Sequence, residues 1–313
     1  MGCLDGKAAV VTGGARGLGR GYALALAGEG ADVLINDTAD SRDEAEAVAG
    51  DIRALGVKAS VHTASVADWE AARGIIGAAA RAFGRADIVV NNAGIAPSGG
   101  IEALTQDDWD RVIGVNLTGV AAISHWAARH WAEAGKASAR ALINVSSPVG
   151  AHPSAFSVAY STSKAAVAAL TIASAPSLAP FGVRVNAIAP IGRSRLTDAT
   201  PTVAKIMAAP DGAGFDRFDP ANAAPLVVYL ASPHCRFTGR LLGVEGDGVF
   251  LLNGWTAEHA AENGGQSWTL DTITAALAAM PAQEESWALW PGGRMRKKTP
   301  SDITLDVLRT TLQ

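Results

Sequence analysis

The chain has 313 residues, 49% of them apolar and 18% charged, and a formal net charge of −4. That balance excludes a largely disordered protein, which lacks the apolar surface to offset the entropy of ordering. It also gives no general reason to seek nucleic acid or an anionic membrane.

In chain order, short β-branched runs at Ala8–Thr12, Val33–Asn36, Val57–Thr63, Ile88–Asn91, Ala141–Val145 and Val183–Ile188 read as strands. Helical patterns fall between them, near Leu18–Gly28, Ser41–Leu55, Asp68–Phe83, Gln106–Ala134 and Tyr160–Ala179. A seventh strand is expected at Leu241–Glu245. Such alternation predicts an α/β fold, a doubly wound parallel seven-stranded Rossmann sheet with helices on both faces. Residues 190–220 carry Gly, Pro, Asp and Arg with weak periodicity, as expected of a mobile substrate loop. The sheet pattern ends near residue 255, so residues 1–255 are expected to form the catalytic domain and 256–313 a C-terminal extension. Within that extension Leu270–Met280 reads as a helix and Pro291–Thr299 as turn-rich and basic.

Cys3 and Cys235 form neither a metal spacing nor a disulfide framework, which favours a reducing compartment. No apolar run reaches the length expected of a membrane span. The start, Met1 to Gly6, lacks the basic and apolar regions of a secretory signal, and Gly6 stands where myristoylation requires Ser or Thr. The expectation is a soluble cytoplasmic protein. The basic run Arg294, Arg296, Lys297 and Lys298 is short and reads as a solvated tail.

Thr12-Gly13-Gly14-Ala15-Arg16-Gly17-Leu18-Gly19 follows the first strand and opens the first helix. Glycines there let backbone N–H groups approach a pyrophosphate, and the helix N-terminus favours its charge. Asp37, at the end of the second strand, suits the adenosine ribose hydroxyls and would repel a 2′-phosphate. Arg16 pulls the other way, since a guanidinium beside the ribose accepts a phosphate. The balance favours NAD over NADP. Tyr160 and Lys164, four apart on a helix, share one face, and Ser147 stands at a strand end 13 residues earlier. A tyrosine titrates near 10, and a nearby ammonium lowers that value toward the range useful for proton exchange.

Together these motifs resemble the short-chain dehydrogenase/reductase family over about residues 5–255. Its TGxxxGxG turn matches Thr12–Gly19, its NNAG signature Asn91-Asn92-Ala93-Gly94, and its asparagine Asn116. Its serine matches Ser147 and its YxxxK motif Tyr160–Lys164. The resemblance implies a catalytic tetrad of Asn116, Ser147, Tyr160 and Lys164. Tyr160 would exchange a proton with the substrate oxygen that Ser147 positions. Lys164 would bind the nicotinamide ribose, and Asn116 would hold a relay water. It also implies cofactor contacts from Gly13, Arg16, Gly17, Leu18, Gly19, Asp37, Ser65, Val66, Asn92, Ala93, Gly94 and Pro190.

Residues 188–197 and 220–230 are similar to the (3R)-hydroxyacyl-CoA dehydrogenase unit of peroxisomal multifunctional enzymes and to bacterial hydroxysteroid dehydrogenases. Three departures from the family pattern bear on the pocket: Ser65-Val66 for Asp-Val, Pro190-Ile191 for Pro-Gly, and Pro148 directly after the serine. Pro176 is expected to kink the Tyr160 helix or end it early.

Pro148, His152 and Phe156 border substrate by this resemblance, although a surface histidine and simple packing are the plainer readings of the last two. His125, Trp126, His130 and Trp131 lack the supporting ligands of a zinc site, so no metal is expected, and an oligomer interface is the better reading. Trp255, Trp268, Trp287 and Trp290 are expected to cover the core or cap the cleft. The leading expectation is an NAD-dependent oxidoreductase interconverting a secondary alcohol and a ketone on a small-molecule substrate, bulky and apolar, of the hydroxyacyl-CoA or hydroxysteroid type. The enzyme would be a homodimer or homotetramer. An NADPH-dependent ketoreductase of broad carbonyl scope is the alternative. A non-catalytic dinucleotide-sensing protein is disfavoured, because the whole tetrad is present.

Overall fold

The computed structural model describes residues 2–137, 139–194, 197, 201–210, 212, 214–252, 260–280, 286–288 and 296–298. The chain divides into two compact units, Met1–Leu252 and Asn253–Gln313. In the first, the strands are β1 (Ala8–Thr12), β2 (Asp32–Asp37), β3 (Ala59–Thr63), β4 (Ile88–Asn91), β5 (Arg140–Val145), β6 (Val183–Ile191), β7 (Arg240–Glu245) and β8 (Gly248–Leu252). They lie in the order β3-β2-β1-β4-β5-β6-β7-β8, so the topology switches direction between β1 and β4. In open α/β sheets that switch opens a crevice at the carboxyl ends of the strands, where ligands bind.

The seven expected strands are parallel to their neighbours, and an eighth, β8, pairs antiparallel with β7. The seven-stranded expectation is corrected here. Gly246-Asp247 closes a two-residue hairpin, with Gly246 at φ +55°, the backbone that a type II′ turn demands at its first central residue.

Strand residues alternate between two cores, as the two-residue period of a strand requires. Val11, Val33, Ile35, Val90, Ile143 and Val145 face one side with α1 (Gly17–Gly28), α2 (Arg42–Ala54) and the Ala224–Ala231 helix. Val10, Leu34, Val89, Leu142 and Val185 face the other. There they meet α3 (Trp69–Phe83), α5 (Gly119–Glu133) and α7 (Val158–Leu178). Between α3 and α5, the expected single helix at 106–134 is interrupted. It comprises α4 (Gln106–Ile113), a π-helical turn at Gly114–Thr118 and α5. π-Turns insert one residue and re-aim the side chains around it, often at functional sites.

Pro148 opens the short α6 (Pro148–Ala151), where its missing N–H leaves nothing unpaired. Pro176 does not end α7, which runs to Leu178 and continues as a 3₁₀ turn, Ala179–Phe181. The segment Val158–Phe181 is long and apolar enough to cross a membrane by length and composition, contrary to the sequence expectation. One face of it serves the sheet: Val167, Ala175 and Leu178 are buried, and the helix packs on β5 and β6. The expected loop at 190–220 holds more structure than its composition suggests. β6 continues through Pro190 and Ile191, paired with Val244 and Glu245, and Pro201–Ile206 is helical.

In the second unit, a helix spans Leu270–Ala278, capped by a reciprocal Thr269–Thr272 box. Ser286–Ala288 pairs antiparallel with Arg296–Lys298. Arg195, Leu196, Trp255, Trp290 and Arg294 lie outside the described residues, as do the side chains of Trp287, Arg296, Lys297 and Lys298.

Candidate active site

The Gly13–Gly19 turn and the Asn92–Gly94 segment leave β1 and β4, the two strands that flank the switch. Thr12, buried at the end of β1, joins them: its Oγ1 accepts from Asn92 N at 3.1 Å and Ala93 N at 3.2 Å. Asn92 Nδ2 returns two bonds, to Thr12 O and Gly13 O, each 3.0 Å. Glycine is required at two points in this lock. Gly13 has φ +63°, and a Cβ on Gly19 would lie 2.1 Å from Gly13 O and 2.5 Å from Asn92 Nδ2.

Helix α1 begins on this turn with no side-chain cap and no acidic residue in its first turn. Its first N–H groups have no partner within the helix, so its positive end lies at the glycine turn. This arrangement fits a dinucleotide pyrophosphate, with Gly13, Gly17, Leu18 and Gly19 supplying the cradle.

At the end of β2, Asp37 accepts from Ala15 N (3.1 Å, Oδ2) and Thr38 N (2.9 Å, Oδ1). Each carboxylate oxygen keeps a lone pair for a ribose hydroxyl. Arg16 is drawn away toward α2, bonding Glu44 Oε1 at 2.9 Å and the Ser41 hydroxyl. A second guanidinium, on exposed Arg42, donates to Thr63 Oγ1 at 2.8 Å, and Thr63 pairs in register with Asp37. Ser65 caps its own loop by accepting from Ala67 N at 3.3 Å. Val66 is buried against Gly119, where a Cβ would stand 2.7 Å from Val66 Cγ2.

The other half of the site is built from α7, β5 and the π-turn. Ser147 lies two residues past β5, extended and N-terminal to α6, with its hydroxyl near enough to the Tyr160 phenol to favour the ionised form. Lys164, one turn after Tyr160, is almost wholly buried. Its Nζ donates to Val145 O at 2.7 Å and stands 5.6 Å from the Tyr160 ring centroid. Burial pushes the lysine down to about 8. Burial also pushes the Tyr160 phenol up, and the Ser147 hydroxyl offsets this only in part. In the protein alone, then, desolvation outweighs the lowering that a nearby ammonium was expected to impose.

Asn116 is fully buried in the π-turn. Its Oδ1 accepts from Ile95 N and its Nδ2 donates to Ile95 O, both 2.8 Å, and Nδ2 also donates to Ser163 Oγ at 3.1 Å. Ser163 in turn donates to Tyr160 O at 2.7 Å. Asn116 therefore ties the strand after β4 to the Tyr160 helix, and both amide hydrogens are used. The second lone pair of Oδ1 is left for a water. Gly94 lies between: a Cβ there would be 3.3 Å from Asn116 Oδ1 and 3.5 Å from Lys164 Nζ.

His152 ends α6 half-buried, and burial holds its imidazole below the ordinary value. Phe156 is 57% exposed; its carbonyl accepts from Gly99 N at 2.8 Å, and Gly99 bridges Ser157. That bridge ties the segment leading to Ile101, 70% exposed, to the one leading into α7. Pro148 is buried at the start of α6, and Pro190 lies within the β6–β7 ladder.

Several residues that the sequence gives no role lie at or beside the site: Thr12, Ile95, Ser163 and Ile101. Ser146 belongs with them, because its Oγ donates to Lys164 O at 2.8 Å and steadies the Lys164 turn. Thr12, Ile95 and Ser163 each have a partner distant in sequence: the Asn92 and Ala93 amides for Thr12, the Asn116 side chain for the other two. Only Thr12, inside the glycine motif, had a signal that could have found it.

Comparison with known proteins identifies the scaffold. Residues 7–205 match the short chain dehydrogenase family. The chain is 36% identical over 286 residues to the hydroxyacyl-CoA dehydrogenase ChsB1 of Mycobacterium tuberculosis, covering 88% of each. It is 35% identical over 263 residues to the 3-alpha-(or 20-beta)-hydroxysteroid dehydrogenase of the same species, covering 84% of this chain and 94% of the relative.

Among solved structures, a short chain dehydrogenase from Mycobacterium avium superposes with a TM-score of 0.77 at 34% identity, over 88% and 96% of the two chains. A short chain dehydrogenase from Burkholderia cenocepacia in complex with NADP gives 0.69 at 35% identity, over 78% and 98%. An NAD+-bound xylitol dehydrogenase gives 0.68 at 28% identity, over 78% and 99%. The protein belongs to the short-chain dehydrogenase/reductase family, as an oxidoreductase of alcohol and carbonyl groups that uses a nicotinamide dinucleotide.

Proposed function

We propose that the protein is an NAD-dependent dehydrogenase interconverting a secondary alcohol and a ketone on a bulky apolar substrate, of the 3-hydroxyacyl-CoA or hydroxysteroid class. The observation that carries the chemistry is the Lys164 ammonium nitrogen 5.6 Å from the Tyr160 ring, with Ser147 beside the phenol. Ser147 holds the substrate oxygen, and Tyr160 Oη takes the alcohol proton or returns it to the ketone. Lys164 supplies the nearby cation that stabilises the phenolate once the pocket is filled. When bound, the dinucleotide supplies the hydride acceptor or donor.

Preference for NAD rests on Asp37, whose carboxylate is fixed by two backbone amides while Arg16 is engaged by α2. Arg42, beside Thr63, supports the NADPH alternative. The substrate class rests on the exposed apolar side chains of Ile101 and Phe156, in the two segments that the Gly99–Ser157 bridge joins ahead of α7, and on the names of the hydroxyacyl-CoA and hydroxysteroid relatives. We assign a homo-oligomer to the same reading. Helix α7 is apolar along its length yet mostly unburied, with Ile172 51% exposed, so a second copy is its natural cover. Sedimentation of the purified chain reads that state directly.

The deciding experiment measures NAD+ reduction against 3-hydroxyacyl-CoA thioesters, hydroxysteroids and short secondary alcohols. The reading predicts the highest kcat/KM on one of the two bulky classes. Equal or better turnover of the short alcohols would overturn the substrate assignment.

A further inference from the structure

Helix α7 uses one device twice. At Thr171 a buried hydroxyl accepts from Asn144 Nδ2 at 2.9 Å and donates to Val167 O at 2.8 Å, which joins the helix to β5. At Ser163 a buried hydroxyl accepts from Asn116 Nδ2 at 3.1 Å and donates to Tyr160 O at 2.7 Å. A hydroxyl has one proton, so each bridges by accepting on one side and donating on the other. Thr171 fastens a stretch of helix that carries no reacting group. Ser163 fastens the turn that carries Tyr160 and Lys164.

The far end of the second bridge lies in the other half of the site. Asn116 is held by the amide and the carbonyl of Ile95, the residue after Gly94. A continuous hydrogen-bonded path thus runs from Ile95 through Asn116 and Ser163 to the main chain of Tyr160. The opposite end of the same helical turn is held by Ser146, whose Oγ donates to Lys164 O at 2.8 Å. Without the Ser163 oxygen, Asn116 would keep a buried N–H with no acceptor, and the Tyr160 end of the turn would lose its tie. A tyrosine carries its hydroxyl at the far end of a rigid ring, so a small tilt of the backbone is enlarged at Oη. A misplacement of about 1 Å can cost on the order of a hundredfold in rate.

We infer that Ser163 is a positioning residue for the reaction: its hydroxyl, set between the Asn116 amide and the Tyr160 carbonyl, fixes the aim of the Tyr160 phenol. Ser163 acts through Tyr160 and takes no part in proton transfer. The inference rests on the dehydrogenase reading of Tyr160.

Ser163→Ala removes the bridging oxygen, and Thr171→Val removes its counterpart about two turns on. kcat at saturation, its pH profile, dinucleotide affinity by calorimetry and Tm are measured on the wild type and each variant. Ser163→Ala should lower kcat about tenfold and leave dinucleotide affinity within about twofold of the wild type. Its alcohol-oxidation profile should move to higher pH, because a displaced phenol loses part of the help of Ser147 and Lys164 in ionising. Thr171→Val should lower Tm and leave kcat and the pH profile as they are. Ser163→Thr retains a hydroxyl that can bond a carbonyl one turn back, so its kcat should lie closer to the wild type than that of Ser163→Ala.

A purely structural role predicts a lower Tm for Ser163→Ala with kcat and pH profile unchanged, and that result overturns the inference. Equal losses of kcat in Ser163→Ala and Thr171→Val overturn it too, as does a threonine variant no more active than the alanine one. A wild-type chain that oxidises no alcohol with NAD+ or NADP+ would instead overturn the reading of Tyr160 on which it rests.

Discussion

Around the Gly13–Gly19 turn the site is made of main chain and small neutral groups, whereas around Tyr160 it is made of buried titratable side chains. The first half works by what is missing. No Cβ stands on Gly19, and no side chain caps α1, so backbone donors stay free for an anion. The second half works by burying groups that would rather be solvated, with Lys164 displaced toward neutrality and Tyr160 held protonated. One half is organised for binding and the other for a change of protonation. Changes in the two halves should therefore separate affinity from turnover.

Tyr160→Phe is the sharpest cut. General acid–base groups contribute about 10²–10⁴-fold, so kcat should fall by that order while dinucleotide affinity stays at the wild-type value. Turnover within a few-fold of wild type would remove Tyr160 from proton transfer. The same variant should flatten the pH profile. Because burial raises the phenol, wild-type alcohol oxidation should climb with pH through the alkaline range, and ketone reduction should decline.

Gly19→Ala tests the opposite half. Its methyl would meet Gly13 O and Asn92 Nδ2 inside contact distance, so the turn must shift, at a cost of about 1–3 kcal/mol. The expected outcome is dinucleotide affinity weakened about tenfold or more, with kcat at saturation largely preserved. A loss of kcat at saturation equal to the loss of affinity would show that the two halves are not separable.

Much of this division is legible in the sequence, because both halves are announced locally. Thr12–Gly19 lies between a strand and a helix, and Tyr160 and Lys164 share a face through helical spacing alone. What escaped depends on partners far along the chain. The π-turn shifts the apolar phase at 106–134 by a single residue, too little to separate by pattern from one continuous helix. Its purpose shows only when Asn116 meets Ile95 and Ser163.

The β7–β8 hairpin is a different case. Gly246-Asp247 between two apolar runs is a recognised hairpin signal, but it follows six strands of parallel rhythm that point to a sheet ending at β7. Pro176 misled for a third reason. Two residues from the end of α7, it removes a single intrahelical bond, and the packing of that helix on the sheet outweighs the loss.

Asp37 lies in the binding half and should affect selectivity more than strength. Asp37→Ala removes a carboxylate that repels a 2′-phosphate, and Arg42 stands one strand away to receive one. The NAD+/NADP+ ratio of kcat/KM should fall about tenfold, mostly through the rise in NADP+ use. A ratio that does not move would exclude Asp37 as the discriminating group.

Lys164 offers the smallest effect, and the one most specific to burial. Its value is about 8 in the folded protein against 10.5 ordinarily. Below pH 8 both folded and unfolded chains carry the proton, and the folded protein bears the full penalty of a buried charge. Between 8 and 10.5 the unfolded chain binds a proton that the folded one has released, so stability rises with pH across that window. Above 10.5 both are neutral and the penalty is gone.

Lys164→Met abolishes this proton difference, so the unfolding temperature of the wild type minus that of the variant should increase from pH 8 to pH 10.5, by a few degrees. Taking the difference cancels every other group that titrates in the same range. A difference that stays flat or declines would mean that Lys164 keeps its charge in the folded protein. Tyr160 would then have a full ammonium beside it even before the dinucleotide arrives, and the two halves of the site would be less distinct than their burial implies.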